Sequence, residues 1–393
     1  MRPLPRLLTH PAAACDRYKQ DCRSAVRISD RCREPGKIGP QPESLPLMFK
    51  NNILQVGVGA SRRRRSVRSG LRAVTTGALR AMCVAALLAA AGGVAHADDP
   101  GPAPSPSAGC GQPVPARGET TVQFRGTEKT GQYRQHVPAG ADRPLPVVIA
   151  LHGLLENIDI ADAGSGFGEY GYQKGFITIT PQLDRLGFAQ WGYGLGSADM
   201  TWVSEVLTDV ESNLCVDKRR IFIAGLSMGA FASSSLGCQF ADRVAAIAPV
   251  SGLRDFSWCR PTRPVPVIAF HGTDDAIVPY AGQSNSGSAS GPSGGEDSGV
   301  GRHPVTDSAA AWARRGGCTG APVRATIAAD VVLDRYSCPS GIDVQLYTIT
   351  GGGHIWPGTS SPLYPELIVG KNTNSINATA LIWDFFRTHP MNT

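Results

Sequence analysis

From residue 145 onward the apolar residues gather into short continuous runs separated by amphipathic stretches. "LPVVIALHG" (145–153), "FITITP" (176–181), "RRIFIAG" (219–225), "VAAIAPVSG" (244–252), "VPVIAFHG" (265–272) and "VQLYTITG" (344–351) are such runs. Continuous Val/Ile/Ala runs are expected of parallel strands covered on both faces. "TTVQF" (120–124) and "YRQHV" (133–137) add two earlier strands. Between the runs lie helical stretches. In "WVSEVLTDVESNLC", Val203, Leu207, Val210 and Leu214 form one apolar stripe at helical spacing. "MGAFASSSLGCQFA" predicts a second, small-residue helix and "NATALIWDFFRTH" a third. Strand and helix alternate, which predicts an α/β fold with a mainly parallel sheet, helices on both faces and right-handed crossovers.

Three stretches fall outside this alternation. "GQSNSGSASGPSGGEDSGVG" (282–301) is too polar to pack and reads as a surface loop. "GFGEYG" (166–171) matches a dinucleotide-binding fingerprint by letters, but it precedes a strand where the fingerprint must follow one. "PGPAPSPSAG" reads as a linker. The expected organisation is a leader over 1–97, a flexible linker over 98–109 and one catalytic domain over 110–390.

Charge separates the leader from the rest. Residues 1–97 carry 17 Lys+Arg against 5 Asp+Glu, whereas residues 98–393 carry 21 against 27. The net +6 of the whole chain therefore belongs to the leader, and nucleic-acid binding is not expected of the acidic body. "SRRRRSVRSGLR", the apolar "AMCVAALLAAAGGVA" and "AHA" follow one another as the parts of a signal peptide, with cleavage expected after Ala97. The apolar stretch falls short of the roughly 20 residues that span a bilayer, so no stable membrane anchor is expected. The arginine run leaves twin-arginine export open. Residues 1–47 lack periodicity, and Met48 is a plausible start. The expected product is a secreted monomer.

Six cysteines remain after the cut: Cys110, Cys215, Cys238, Cys259, Cys318 and Cys338. An even number behind an export signal predicts disulfides, with 15 possible pairings, of which Cys318–Cys338 is the one favoured. No CxxC or Cys/His cluster offers a metal site, and neither metal nor cofactor is expected.

The chemistry centres on "IAGLSMGA" (223–230). Strand, turn and helix meet at Ser227, with Gly225 and Gly229 two places to either side. That is the pattern of a nucleophile elbow, where larger neighbours would clash and the helix N-terminus favours developing negative charge. A serine needs a base oriented by an acid. His354, in the glycine-rich loop after "VQLYTIT", is the expected base. His152 and His271 sit in "HG" turns and read as structural. His136, His303 and His389 lack a strand-end setting. For the acid, "FHGTDD" offers Asp274 and Asp275, with Asp275 favoured. The oxyanion hole needs two backbone donors, expected from Met228 and from Leu154 in the loop after "VVIALHG".

"ALHG", "GLSMGA", "AAIAPVSG", "FHGTDDAIVPY" and above all "GGGHIWPG" resemble the secreted polyhydroxybutyrate depolymerase/feruloyl esterase family of α/β-hydrolases, over residues 108–388. The resemblance implies a carboxylic-ester hydrolase with Ser227, Asp275 and His354 as triad and Trp356 lining the substrate cleft. Met228 departs from the asparagine seen in many relatives. Feruloyl or related polysaccharide-linked esters are the expected substrates. A polyhydroxyalkanoate or short-chain polyester is the alternative, and a non-catalytic envelope protein is disfavoured by the intact Ser, Asp and His. The absence of a second domain or Thr-rich linker tilts the expectation towards small or oligomeric esters.

Overall fold

Ten strands form a single sheet in the order β1-β2-β4-β3-β5-β6-β7-β10-β9-β8 in a computed structural model, which describes residues 103–114, 117–184, 189–282, 303–359 and 365–392. The expected leader lies outside the described residues, as does nearly all of the Gly/Ser stretch at 282–301. The strands are β1 (Gly118–Arg125), β2 (Thr130–Val137), β3 (Leu145–Leu151), β4 (Ile177–Leu183), β5 (Val216–Leu226), β6 (Ala246–Val250), β7 (Val267–Gly272), β8 (Thr319–Ala328), β9 (Val331–Ser337) and β10 (Val344–Ile349). The six strands β4, β3, β5, β6, β7 and β10 run parallel; β1, β2 and the β8–β9 hairpin add antiparallel edges. With its helices this is the α/β-hydrolase architecture expected from the sequence. Among the described residues no helix is long and apolar enough to cross a membrane.

The continuous apolar runs have a direct cause. Successive side chains on a strand point to opposite faces. Along β3, Val147, Ile149 and Leu151 join a core cluster with Trp202, Phe231 and Trp312, while Val148 and Ala150 join a second with Phe167, Trp383 and Phe386. Both faces are covered, so no polar position interrupts the run. Helix α3 (Ala198–Asn213) closes the first face; its stripe Val203, Leu207 and Val210, continued by Leu214 just past its end, is at most 4% exposed. Each such side chain contributes about 1.5–3 kcal/mol by its removal from water. Helix α4 (Met228–Gln239) lies on the same face and α7 (Ala378–Arg387) on the other.

Four helices and one hairpin escape the sequence pattern. Helices α1 (Ile158–Ser165) and α2 (Phe167–Lys174) are two turns each, and the left-handed Gly166 ends one and begins the next. The "GFGEYG" stretch thus serves as a helix junction. Helices α5 (Val305–Arg315) and α6 (Glu366–Val369) also lie outside the three helices the pattern predicts. Strand β8 is almost wholly exposed, so it carries no apolar alternation to recognise.

The Pro-rich stretch expected as linker is held to the domain in its second half. Pro106 bridges Asp217, the Ser107 N–H donates to Val216 O at 2.9 Å, and the Gly109 N–H donates to Glu211 O at 2.9 Å. Beside these contacts, Cys110 is bonded to Cys215; Cys238 pairs with Cys259 and Cys318 with Cys338.

These bridges make a graded prediction. Closing 105 residues constrains the unfolded chain more than closing 21 or 20. Replacing Cys110 and Cys215 by serine should cost about 4–5 kcal/mol, against about 3 for either other pair. Denaturant midpoints of the three double variants measure the order; equal losses would contradict it.

Candidate active site

Strand β5 ends at Leu226 and α4 begins at Met228, so Ser227 alone makes the turn. Its φ of 58° and ψ of −119° lie where a residue with a Cβ is strained, a cost on the order of 1–3 kcal/mol. Hydrogen bonds hold it there. The Ser227 N–H donates to Val250 O of β6 at 3.0 Å, and the N–H groups of Ala230 and Phe231 donate to Ser227 O at 2.9 and 3.1 Å. The flanking glycines are a steric requirement: a Cβ on Gly225 would meet the Gly229 carbonyl, and one on Gly229 would be driven into the Leu151 carbonyl oxygen. Ser227 is half-buried at the carboxyl ends of the parallel strands, beside the N-terminus of α4.

The loops after β7 and β10 meet at the same end of the sheet. These strands are parallel neighbours with His271 opposite Thr348. Beyond them, the N–H groups of Thr273 and Asp274 donate to Ile349 O and Gly352 O, each at 2.9 Å, and the Gly351 N–H donates to Thr273 Oγ1 at 2.8 Å. A Cβ on Gly272 would strike Gly352, so the two loops touch backbone to backbone. This stitching brings Asp275 to His354 across 79 residues of chain: Nδ1 of His354 lies 2.8 Å from Oδ2 of Asp275. A carboxylate only accepts, so Nδ1 carries the hydrogen and Nε2 keeps its lone pair. Asp274 is exposed and accepts instead from the Thr273 hydroxyl at 3.0 Å.

Asp275 is 4% exposed and His354 6%. Burial alone would raise the Asp275 carboxyl, but hydrogen bonds from His271 and His354 and their charge hold it well below the usual carboxylate range. Its Oδ1 also accepts from the N–H groups of Ile277 and Val278 at 2.9 and 2.8 Å.

The loop after β3 carries Leu154, 45% exposed, and Leu155, whose φ of 69° is left-handed. The Leu155 N–H donates to Ala189 O at 2.9 Å, and the Glu156 carboxylate accepts from the Gly153 N–H. Trp191 covers this loop from the side, its ring stacked on His152 at 4.5 Å and its Nε1 donating to His152 O at 2.9 Å. The Trp191 N–H also donates to Sδ of Met228 at 3.2 Å. The Met228 side chain therefore ties the elbow to the roof over the β3 loop, a role the expected backbone contribution did not include. Nothing in the letters around Trp191 marks it for this place.

Trp356 is 3% exposed, edge-on to Phe167 at 5.6 Å, with Nε1 donating to Thr379 Oγ1 at 3.0 Å. The structure puts its ring in the core beneath the histidine loop, whereas the resemblance implies a cleft position. Among the described residues, Glu119, His136 and Asp162 come within ligand distance of one another. The Arg134 guanidinium already sits between the two acids, 3.2 Å from Glu119 and 3.6 Å from Asp162, and opposes a cation there.

Feruloyl esterase B of Piromyces equi is 30% identical to this chain over 233 residues, 55% of this chain and 41% of that protein. A bifunctional acetylxylan esterase/xylanase of Neocallimastix patriciarum is 27% identical over 145 residues, 37% of this chain and 21% of that protein. Poly(3-hydroxyalkanoate) depolymerase C of Paucimonas lemoignei is 26% identical over 129 residues, 31% of each. The chain thus spans less than half the length of these curated relatives. No family model matches it.

Two outcomes follow from this geometry. Gly229→Ala should displace the elbow and remove at least 90% of any Ser227-dependent activity, read by turnover of a chromogenic ester. The second is linkage. The depressed Asp275 carboxyl adds stability that is complete above its unfolded value, about pH 4, and that is lost as pH falls towards the folded value. Wild type should therefore lose more stability between about pH 5 and pH 2 than Asp275→Asn, measured by urea midpoints; parallel curves would contradict it.

Proposed function

We propose that this chain is a serine carboxylic-ester hydrolase in which Ser227 is the nucleophile, His354 the general base and Asp275 its orienting acid. The observation that carries the reading is the buried 2.8 Å bond from His354 Nδ1 to Asp275 Oδ2, at the same sheet end as a serine in a strained, glycine-flanked turn. In the reaction, His354 Nε2 takes the proton of Ser227 as its oxygen attacks the ester carbonyl. Asp275 stabilises the imidazolium that results. The backbone N–H groups of Met228 and Leu154 receive the oxyanion, at a helix N-terminus that favours negative charge. His354 then returns the proton to the departing alkoxide. Water, deprotonated by the same imidazole, releases the acid.

For substrate we propose feruloyl or related esters linked to polysaccharide, supported by the similarity to a feruloyl esterase and to an acetylxylan esterase. A second reading, polyester depolymerisation, has its own support: similarity to a depolymerase, exposed Leu154 and Leu155 in the loop after β3, and exposed Leu367 and Ile368 on α6, which is hydrogen-bonded to the His354 loop. Three disulfides support an oxidising compartment, and secretion with cleavage after Ala97 is the proposed route.

Ser227→Ala and His354→Ala should each lower kcat by on the order of 10⁴ to 10⁶, and the double variant should be barely worse, because the parts act as a unit. Asp275→Asn should be strongly impaired, while Asp274→Asn should stay within about tenfold of wild type, ~1.4 kcal/mol in barrier. Initial rates on p-nitrophenyl acetate measure all five. Near-normal turnover by Ser227→Ala would overturn the mechanism. Methyl ferulate against polyhydroxybutyrate film then separates the two substrate classes.

A further inference from the structure

The buried His271 is a poor core residue as it stands. It is 2% exposed at the end of β7, and its Nδ1 has no hydrogen-bond partner. Leaving a polar nitrogen bare in the interior is unfavourable, and an apolar ring of similar size would avoid it. What the imidazole supplies is therefore its other nitrogen. Nε2 lies 2.8 Å from Val278 O and 3.3 Å from Oδ2 of Asp275. A carbonyl oxygen only accepts, so Nε2 carries the hydrogen and gives it to Val278 O, with Oδ2 of Asp275 close beside. The ring is held in this pose: Tyr280 packs edge-on at 5.7 Å and 88°, and its hydroxyl is fixed 2.8 Å from Thr348 Oγ1 on β10.

Oδ2 of Asp275 thus meets two imidazoles, His354 at 2.8 Å and His271 at 3.3 Å. We propose that His271 is a positioning residue of the ester-hydrolysing site, whose Nε2–H joins the acid loop at Val278 to Oδ2 of Asp275 and so fixes where that oxygen meets His354. This rests on the triad reading above. Two effects follow. The carboxylate cannot rotate its Oδ2 away from His354 without also giving up its close approach to His271 Nε2. Part of its negative charge is also spent on His271, which limits how tightly it holds a proton on His354.

The groups facing this carboxylate are His354, His271 and the N–H groups of Ile277 and Val278, so the competing donor can be removed singly. His271→Phe keeps the ring and removes the donor. His271→Gln restores an N–H near the Nε2 position. His271→Asn is polar but too short to reach Oδ2.

The experiment measures kcat, KM and the pH profile of kcat/KM on p-nitrophenyl acetate for these variants and Ser227→Ala, in full-length protein whose fold is checked by circular dichroism. The expected result for His271→Phe is kcat lower by up to about 10²-fold, as for a misplaced catalytic group. KM should stay within about twofold, and the acid limb should move to higher pH because Asp275 then acts on His354 alone. His271→Gln should recover most of kcat and return the limb. A folded His271→Phe with wild-type kcat and pH profile overturns the role of His271. If His271→Phe does not fold, His271→Asn takes its place, and identical profiles for the Asn and Gln variants overturn it. Those outcomes with an inactive Ser227→Ala leave the triad reading standing. An active Ser227→Ala overturns both.

Discussion

Withdrawing a carboxylate from water costs several kcal/mol unless donors replace the lost hydration, and Asp275 finds those donors in separate parts of the chain. Two come from its own loop, one from the end of β7 and one from the loop after β10. The β7–β10 register brings them together, because parallel neighbours carry the loops that follow them side by side to one end of the sheet. The backbone bonds from Thr273 and Asp274 to Ile349 and Gly352 then set the loops at a fixed height. A buried charge satisfied in this way tolerates little displacement. Its partners must all be present, which makes the geometry of His354 a property of the fold and not of one side chain.

The elbow obeys a different constraint. Asp275 is held by attraction, whereas Ser227 is held by the exclusion of alternatives. Gly225 and Gly229 let β5, α4 and the end of β3 approach until no Cβ would fit, and that contact keeps the serine backbone in a conformation it would otherwise leave. Cys238, at the far end of α4, is tied to Cys259 beyond β6, so the helix that carries the elbow is anchored at both ends.

Much of this was legible in the letters, and for physical reasons. Parallel strands covered on both faces favour apolar side chains along most of their length, so β3 to β7 and β10 stand out as apolar runs. The elbow was legible because it needs small residues at fixed offsets from one serine. Strand β8 was not, since an exposed strand places no demand on its side chains. The short helices α1 and α2 offer too few turns for a stripe. Asp275 and Asp274 could be ranked by their letters, but only burial separates one beneath the histidine loop from one in solvent. The pose of His271 was invisible for the same reason: the letters "HG" describe a turn and say nothing about which nitrogen faces the acid. Trp356 shows the limit from the other side: it lies two residues from His354, yet its ring is packed in the core against Phe167.

The connectivity of the cysteines has a consequence for how the chain acquires them. Among the six cysteines from Cys110 to Cys338, taken in order, the first pairs with the second, the third with the fourth and the fifth with the sixth. A chain that emerges from its N-terminus and oxidises each new thiol with the one still waiting arrives at the native set without passing through a wrong one. Each of these bridges can close before the next pair appears, so the order of the cysteines along the chain itself favours this set of pairings.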